Sequence, residues 1–237
     1  ARITETVQKL LSFAPDRVAL YGYAHVPWMA RRQAMIATDS LPDPQQRLDL
    51  FETARRLFVW DGYDEIGIDH FARPEDGLSK AHKAGTMHRN FQGYTLHGDA
   101  DLLGFGVSAI SQIGNLYAQN MKSLSHWSDA IDQHHSTIEQ GYLLDRDDQM
   151  RRDLIMRLLC DLYVDMNLFS EQWQINFPDY FVDALASWVE FEDQGLVRVD
   201  KQRLVITEQG RLVSRALVMP FDRYTQSEAI NRFSRII

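Results

Sequence analysis

Apolar positions in the first third of the chain alternate between the spacing of strands and that of helices. Arg17 to Tyr23 is a short run of strand-forming residues, and Glu65 to Asp69 is a second one. Between them, Asp43 and Pro44 have the residue types of an N-cap and a first helical position. Apolar residues then recur at helical spacing up to Gly62, namely Leu48, Phe51, Ala54, Leu57 and Phe58. This order predicts a βαβ unit whose helix packs on a parallel sheet.

Two strands are too few for a stable parallel sheet, which normally has several members and is covered on both faces. We therefore expect residues 1–85 to be the last βαβ part of a larger α/β domain. Its other strands would precede Ala1, so that the chain is a C-terminal fragment.

The middle of the chain, residues 86–120, has little periodicity and many Gly, His, Asn and Gln residues. A long, polar and aromatic connection in a compact protein is more often functional than idle. We interpret it as an active-site connecting segment, and an ordered linker without chemistry is the alternative.

Residues 121–237 predict a helical domain that contains one hairpin. Apolar residues on one stripe indicate a core-facing helix over residues 148–166, and Pro178 begins another helix that ends at Gly195. Two short apolar runs flank the turn at Asp200 to Arg203, and a helix follows from about Glu208. Helix, hairpin and helix in this order resemble a winged helix.

Composition and charge narrow the classes of function. The 237 residues carry a formal net charge of −8, which argues against a sequence-independent nucleic-acid binder, because such proteins present a basic surface to phosphate. No apolar run approaches the roughly 20 residues that span a bilayer, and the N-terminus lacks the features of a signal peptide. Since Cys160 is the single cysteine, no internal disulfide can form, and we expect a cytoplasmic protein.

Candidate chemistry lies after the two predicted strands. Ligands gather at the carboxyl ends of parallel strands, where this sequence has Ala24 and His25 after the first strand, and His70 and Arg73 after the second. Ala24 is small enough to let a cofactor approach the backbone, and Arg73 could pair with a carboxylate. The alternatives are structural: a histidine that anchors a loop, and an arginine that binds a carbonyl.

The sequence has no pattern that specifies the reaction. The histidines are too scattered for metal-ligand spacing, with no HExxH and no CxxC. Cys160 is surrounded by leucines, which favours a buried and inert thiol. No nucleophile-elbow motif or dinucleotide loop is present, and we predict no metal site in this chain.

Several dense motifs stand out along the chain, namely YGYAHVP (21–27), DHFARPED (69–76), HRNFQGY (88–94), DLLGFGVSAIS (101–111), RRDLIMRLLCD (151–161) and the terminal NRFSRII (231–237). In this order they closely resemble the oxygen-independent coproporphyrinogen III oxidase family, whose members are radical S-adenosylmethionine enzymes. The likeness covers essentially the whole chain. It implies the C-terminal end of a partial (β/α) radical SAM barrel, followed by the helical domain with its winged-helix-like hairpin.

The resemblance also implies an activity. In the family a [4Fe–4S] cluster cleaves S-adenosylmethionine, of which two molecules bind, and the resulting radical starts the oxidative decarboxylation of two propionates of coproporphyrinogen III. The product is protoporphyrinogen IX. The family holds its cluster with a CxxxCxxC motif, which is absent here, and one cysteine cannot supply three thiolates. We therefore expect this chain alone to bind no cluster and to be inactive.

Site residues follow from the resemblance at matching positions. Ala24, Ile110 and Gln92, with Phe91 beside it, match residues near the S-adenosylmethionine molecules. Strand-end geometry agrees with Ala24 alone, because Ile110 could serve only packing and Gln92 only its loop. Cations close to the motifs are candidates for the substrate's carboxylates, namely Arg73, His88 and Arg89.

Three other functions remain open. One is a relative that has lost decarboxylation and binds haem for delivery, the second is a winged-helix nucleic-acid module, and the third is a purely structural interaction domain. For the oxidase, the expected partners are coproporphyrinogen III and an electron donor, with no nucleic acid and no membrane span, and we expect the intact enzyme to be a monomer.

Overall fold

The structure is a computed structural model that describes residues 2–98 and 100–225. Two 3-10 turns, Arg31–Met35 and Thr38–Ser40, precede the second helix. In chain order the first elements are α1 (Arg2–Leu11), β1 (Arg17–Ala19), α2 (Pro44–Trp60), β2 (Asp64–Ile66), β3 (His70–Ala72), α3 (Gly77–Ala84), β4 (His88–Asn90) and β5 (Gly93–Thr95).

The rest of the chain is richer in helix. A last 3-10 turn, Met219–Phe221, ends it. Its elements are β6 (Ile110–Ile113), β7 (Leu116–Asn120), α4 (Leu124–Asp132), β8 (Ile138–Leu143), α5 (Arg146–Asp161), β9 (Tyr163–Asp165), α6 (Met166–Trp173), α7 (Phe177–Tyr180), α8 (Val182–Asp193), β10 (Val197–Val199), β11 (Arg203–Ile206), α9 (Glu208–Arg211) and α10 (Ser214–Val218).

Helix α2 confirms its predicted start. The Asp43 carboxylate accepts a hydrogen bond from the Gln46 backbone N–H at 2.8 Å, and the Gln46 side chain accepts one from the Asp43 N–H at 3.1 Å. With Pro44 at the first helical position, this capping box satisfies donors that a helix start would otherwise leave unpaired. The buried face of α2 carries Ala54 and Phe58.

The first sheet differs from the predicted parallel βαβ arrangement. Its strand order is β1-β3-β2, and β3 is antiparallel to both neighbours. The strands β1 and β2 do run in the same direction, but β3 lies between them. The prediction that they are adjacent is therefore wrong, and the extended runs are shorter than their sequence patterns suggested.

A glycine explains why β3 takes that position. Gly67 has a φ of +57°, a left-handed conformation that lets the chain reverse directly after β2. A Cβ atom at Gly67 would overlap the phenol ring of Tyr94. The turn at residues 67–69 thus needs glycine for its backbone and for its packing, and it returns β3 beside β2.

Residues 86–120 contain more regular structure than their sequence predicted. β4 and β5 form a hairpin whose Asn90 pairs with Gly93, and β6 and β7 form a second hairpin. β8 joins β7 on its other side and makes a three-stranded sheet. The strands were missed because they are three to five residues long, which is too short for a clear alternation of apolar and polar positions.

The second half contains the expected hairpin, but its helices differ from the prediction. The helix predicted over residues 148–166 ends at Asp161 and is followed by a strand, and the one predicted from Pro178 to Gly195 is divided into α7 and α8 at Phe181. α5 begins with a capping box at Asp145 and ends where Leu162 adopts a left-handed conformation, and the chain then forms β9. The hairpin β10–β11 is present, and β9 pairs with β11 to complete the order β10-β11-β9. This sheet beside α6 and α8 has the winged-helix-like arrangement.

Two apolar cores lie on opposite sides of the first sheet. The smaller core joins α1, α2 and β3 through Val7, Ala54, Phe58, Tyr63 and Phe71. The larger core extends from Ile66 on β2 to Phe221 and includes the fully buried Trp188. Because one core includes both β2 and the C-terminal helices, the first sheet is fixed directly to the second half of the chain.

The terminal motif NRFSRII, residues 231–237, lies outside the described residues. In the part of the chain that is described, no helix is both long and apolar enough to cross a membrane.

Substitution of Gly67 with alanine tests the turn. Gly67→Ala combines the cost of a left-handed non-glycine residue with a clash against Tyr94, so we expect it to lower the free energy of unfolding by about 2–4 kcal/mol. Gly85→Ala is the matched control, because Gly85 has a φ of +65° but open space around it. It should cost about 1 kcal/mol. Urea unfolding measures both, and equal losses would show that the Tyr94 contact does not constrain the turn.

Candidate functional site

Two cavities open where the chain leaves β1. One has a volume of about 540 Å³ and the other about 860 Å³. Both are lined by residues 21–24 together with Arg47 and Phe51 of α2. The smaller cavity also reaches Asp69 and, from the second half of the chain, Arg215. Ala24 therefore lies in the wall of both cavities.

A glutamine fixes the backbone around Ala24. The Gln33 Oε1 accepts a hydrogen bond from the Val26 N–H at 2.6 Å, and Gln33 Nε2 donates one to the Ala24 carbonyl at 3.1 Å. Since residues 20–26 belong to no strand, this carboxamide replaces the missing backbone partners of the segment. Gln33 is thus a structural support of the cavity wall.

Asp69 is the centre of a charged cluster at the base of the smaller cavity. Its carboxylate lies 2.6 Å from His70 Nδ1, 2.6 Å from Arg215 Nη2 and 3.8 Å from Arg89 Nη1. Burial by itself would raise the pKa of Asp69, but the hydrogen bond with His70 and the charge of Arg89 outweigh it. The pKa of Asp69 consequently lies below its ordinary value, and the group is an anion at neutral pH.

Tyr94 supports this cluster from below. Its hydroxyl accepts a hydrogen bond from the Ile68 N–H at 3.0 Å and donates one to the Leu159 carbonyl at 2.9 Å. The His70 ring meets the Tyr94 ring edge-on at 5.0 Å, and the Arg89 guanidinium lies 4.7 Å from the Tyr94 ring centroid. Burial raises the pKa of Tyr94 further above neutral pH, so its hydroxyl stays protonated and keeps its hydrogen bond to the Leu159 carbonyl.

The structure places Arg73 away from this cluster. His70 is the first residue of β3, whereas Arg73 follows its last residue, Ala72. The Arg73 guanidinium donates to the Asp61 carbonyl at 2.7 Å and to Asp61 Oδ2 at 2.9 Å. The same group stacks on Tyr63 with 3.9 Å to the ring centroid. The expectation that Arg73 and His70 face one region is therefore wrong, because β3 turns back and carries Arg73 to the far end of the sheet.

The three histidines near the sequence motifs take different positions, and of these His25 alone lines one of the two cavities. His25 lines the larger cavity and lies 6.0 Å from Tyr23 between ring centroids. His70 is mostly buried and bonds to Asp69. His88 is an exposed residue of β4 whose charge lowers the pKa of Asp161, although burial of that carboxyl raises it more.

The other predicted residues lie on the two hairpins of residues 86–120. Phe91 and Gln92 form the exposed turn between β4 and β5, where the Asn90 side chain accepts from the Gln92 N–H at 2.8 Å. The Phe91 ring contacts the Tyr117 ring at 5.2 Å, which brings this turn to β7. Ile110 pairs with Gln119 and is partly buried. In residues 2–98 and 100–225, no hydrogen bond or ring contact joins Ala24 to these residues.

The residues around the cavities fit S-adenosylmethionine better than they fit an iron–sulfur cluster. The cavity wall offers the aromatic rings of Tyr21 and Tyr23, the small side chain of Ala24 and the cation of Arg47, which suit an adenosine group and a carboxylate. Cys160 is buried in the main core, and burial raises its pKa to about 12. One buried thiol does not fit a cluster that needs several thiolates. Nor does the described chain contain a group of three metal-ligand residues.

Sequence reasoning missed Arg215, Arg47, Ser214 and Gln33. Arg215 lies 146 residues after Asp69, and neither its neighbours nor its spacing distinguishes it from a surface arginine. Asp43, in contrast, gave a local signal because a cap and its partner are three residues apart. Residues that meet only through folding have no such signal.

Substitution of Asp69 with asparagine tests the charged cluster. Asp69→Asn keeps the shape but removes the anion, so we expect a loss of about 3 kcal/mol of unfolding free energy at pH 7. The lowered pKa means that the ionised carboxyl stabilises the fold above its ordinary pKa of about 3.9 and that this stability is lost as pH falls through the lower folded-state value.

Urea unfolding at pH 7, 5 and 3 measures the effect. The difference in unfolding free energy between wild type and Asp69→Asn should persist at pH 5 and shrink at pH 3. Asp132→Asn, on the exposed surface, is the control, and its unfolding free energy should differ little from that of wild type at all three pH values. A difference that does not depend on pH would contradict the assignment of charge to Asp69.

The thiol of Cys160 should be unreactive in the folded protein. Burial raises its pKa to about 12, so very little thiolate exists at pH 8. We expect Ellman's reagent to modify the native protein at least about 100-fold more slowly than the urea-unfolded protein. Equal rates would contradict the burial of Cys160 and restore it as a possible ligand.

Comparison with known proteins supports these observations. Residues 144–213 match the family model HemN C-terminal domain. The oxygen-independent coproporphyrinogen III oxidase of Escherichia coli (strain K12) is 42% identical over 98% of this chain and 51% of its own length. That of Paracoccus denitrificans is 47% identical over 94% of this chain and 49% of its own. That of Thermostichus vulcanus is 37% identical over 98% of this chain and 72% of its own.

The structural comparison agrees. The solved coproporphyrinogen III oxidase (HemN) of Escherichia coli, described as a radical SAM enzyme, matches with a TM-score of 0.87 at 42% identity. The match covers 93% of this chain and 51% of that one, so the chain spans about half the length of these Escherichia coli relatives. It confirms the predicted fold class of a partial radical SAM barrel with a helical second part, although the described strands form no closed barrel. The chain therefore belongs to the oxygen-independent coproporphyrinogen III oxidase family.

Proposed function

We propose that this chain is part of an enzyme that oxidatively decarboxylates two propionates of coproporphyrinogen III to vinyl groups and forms protoporphyrinogen IX. The observation that carries the proposal is the pair of cavities lined by Ala24 in a chain of this family. A cavity of 540–860 Å³ has the size of a cofactor or substrate site. The names of the relatives favour the oxidase over a haem-delivery protein.

Four residues are proposed to contact S-adenosylmethionine, namely Ala24, Ile110, Gln92 and Phe91. When bound and reduced, this cofactor supplies the radical that begins oxidation of a propionate. Ala24 leaves room in the cavity wall, and Gln33 holds its carbonyl in place. Gln92 is exposed, and its backbone N–H donates to the Asn90 side chain. Its side-chain carboxamide has no hydrogen-bond partner among the described residues, which leaves it available for a ligand.

The substrate's carboxylates are proposed to meet Arg89 and His88 on β4. Arg89 is mostly buried, and its Nη1 makes no hydrogen bond to any described residue, because its distance to Asp69 Oδ1 is 3.8 Å. A desolvated guanidinium binds a carboxylate strongly. We leave Arg73 out of the proposal, because both of its terminal nitrogens are bonded to Asp61.

The [4Fe–4S] cluster does not fit this chain, because the single thiol of Cys160 is buried and protonated. We propose that this chain by itself binds no cluster and does not catalyse the reaction. The proposal also includes an electron donor as partner and a monomeric intact enzyme. A cytoplasmic location is proposed as well, because a free thiol such as that of Cys160 is typical of a reducing compartment. Nucleic acid is not proposed as a partner, given the charge of −8.

Gln92 offers a direct test in the full-length protein. Under anaerobic conditions, wild type with S-adenosylmethionine and a reductant should convert coproporphyrinogen III, with the oxidised product measured by chromatography. Gln92→Ala should weaken S-adenosylmethionine binding and lower turnover by about 10-fold or more, because a hydrogen bond to a bound ligand is lost.

Gln45→Ala is the matched control, since Gln45 is an exposed glutamine of α2 whose side chain donates to Asp49 on the same helix. It should bind and turn over as wild type does. Normal binding and turnover in Gln92→Ala would remove Gln92 from the site, and a wild type without conversion would refute the proposed function.

A further inference from the structure

Arg215 joins the second half of the chain to the smaller cavity. It lies on α10, and its Nη2 donates to Asp69 Oδ2 at 2.6 Å. Its side chain is still 49% exposed, although it lines the cavity and is anchored at one nitrogen. A guanidinium has five N–H donors, and the Asp69 contact uses one nitrogen. The remaining donors of Arg215 are therefore held in position, and no hydrogen bond to another described residue uses them.

The charges around Arg215 favour an anion. The lining of the smaller cavity includes two arginines, Arg47 and Arg215, and the single carboxylate of Asp69. That carboxylate is already neutralised by Arg215 and by Arg89 behind it. Two arginines, Arg89 and Arg215, against the one carboxylate of Asp69 leave a formal positive charge at the base of this cavity, which the net charge of −8 does not explain.

The rest of the lining describes the kind of anion. Ser214 is 1% exposed, and its buried hydroxyl makes no hydrogen bond within the described protein. Such a group normally has a partner, and a ligand in the cavity that Ser214 lines would supply one. The other walls are apolar or aromatic, with Leu20, Tyr21, Leu48, Phe51, Ile68 and Leu212. This combination suits an acid group attached to an apolar body.

We propose that Arg215 binds a carboxylate in this cavity and that Asp69 is the positioning residue that holds it there. The inference rests on the proposed function, which provides two carboxylates of this kind. One is a propionate of the tetrapyrrole, and the other is the amino-acid carboxylate of S-adenosylmethionine. Arg215 would pair with either through the donors that Asp69 leaves unused.

Binding measurements on the full-length protein test the proposal without turnover. Coproporphyrin III is the stable tetra-acid probe, its tetramethyl ester is the uncharged probe, and S-adenosylmethionine is the third. Fluorescence quenching measures affinity for the porphyrins, and calorimetry measures affinity for S-adenosylmethionine. Arg215→Gln should bind either the tetra-acid or S-adenosylmethionine about 10-fold or more weakly, and the ligand affected identifies the carboxylate. Affinity for the ester should not change.

Two further variants keep the test independent of folding. Arg215→Lys retains the charge at Asp69 and should retain part of the affinity, because an ammonium cannot form the bidentate pair. Arg157→Gln is the matched control, since Arg157 pairs with Asp153 outside the cavity, and its affinities should equal those of wild type. Thermal unfolding of each variant shows whether it is folded.

If Arg215→Gln binds both coproporphyrin III and S-adenosylmethionine as tightly as wild type does, the proposal is overturned. An equal loss of affinity for coproporphyrin III and for its ester would also overturn it, because that result indicates a purely structural role for Arg215. In either case a wild type that converts coproporphyrinogen III leaves the proposed function standing. A wild type that neither binds the tetra-acid nor converts the substrate overturns the proposed function and this inference together.

Discussion

A buried carboxylate stays ionised only where cations and hydrogen-bond donors replace the water it has lost, and Asp69 imposes that requirement on this fold. Its side chain is 7% exposed, and its partners are His70 beside it, Arg89 from β4 and Arg215 from α10. Three parts of the chain must meet at one point for the charge to be tolerated. The Asp69 carbonyl also accepts from the Leu20 N–H at 2.8 Å, so the same residue directs the chain as it leaves β1 towards the cavities.

A second, mostly buried carboxylate repeats this arrangement. Glu65 on β2 lies 2.9 Å from Arg55 of α2 and 3.3 Å from Arg211 of α9. The hydrogen bond to Glu65 is the main reason that the pKa of Arg55 is raised. Glu65 and Asp69 flank the Gly67 turn, and each pairs with an arginine from near the C-terminal end of the described chain. Buried ion pairs of this kind are weak evidence for stability, but they penalise any packing that separates their partners.

Placement of the cavity follows from these two contacts and from the larger core. Ile66 and Ile68 pack with the helices of the second half. Glu65 holds α9 against the first sheet through Arg211, and Asp69 holds α10 there through Arg215. The cavity wall consequently draws on residues from 20 to 215 of the chain. A ligand bound there would contact both halves of the chain.

Local signals in the sequence determined the elements whose cause is local. The N-cap of α2, the stripe of α5 and the hairpin at Asp200 to Arg203 depend on residues within a few positions of one another, and all three are present. The βαβ pairing failed because the reversal at Gly67 was read as part of a strand. The short strands of residues 86–120 failed because three to five residues carry too little periodicity.

The sequence by itself determined the family, through dense motifs such as YGYAHVP and HRNFQGY. It also pointed to Ala24, which lines both cavities although β1 ends five residues earlier, at Ala19. Only the tertiary structure decided which charges share a site. It moved Arg73 to the opposite end of the sheet with Asp61 and brought Arg215 to Asp69 across 146 positions. The reason is physical: a helix or a cap is selected by neighbours along the chain, whereas a buried ion pair is selected by desolvation, which exists only once the whole core has formed.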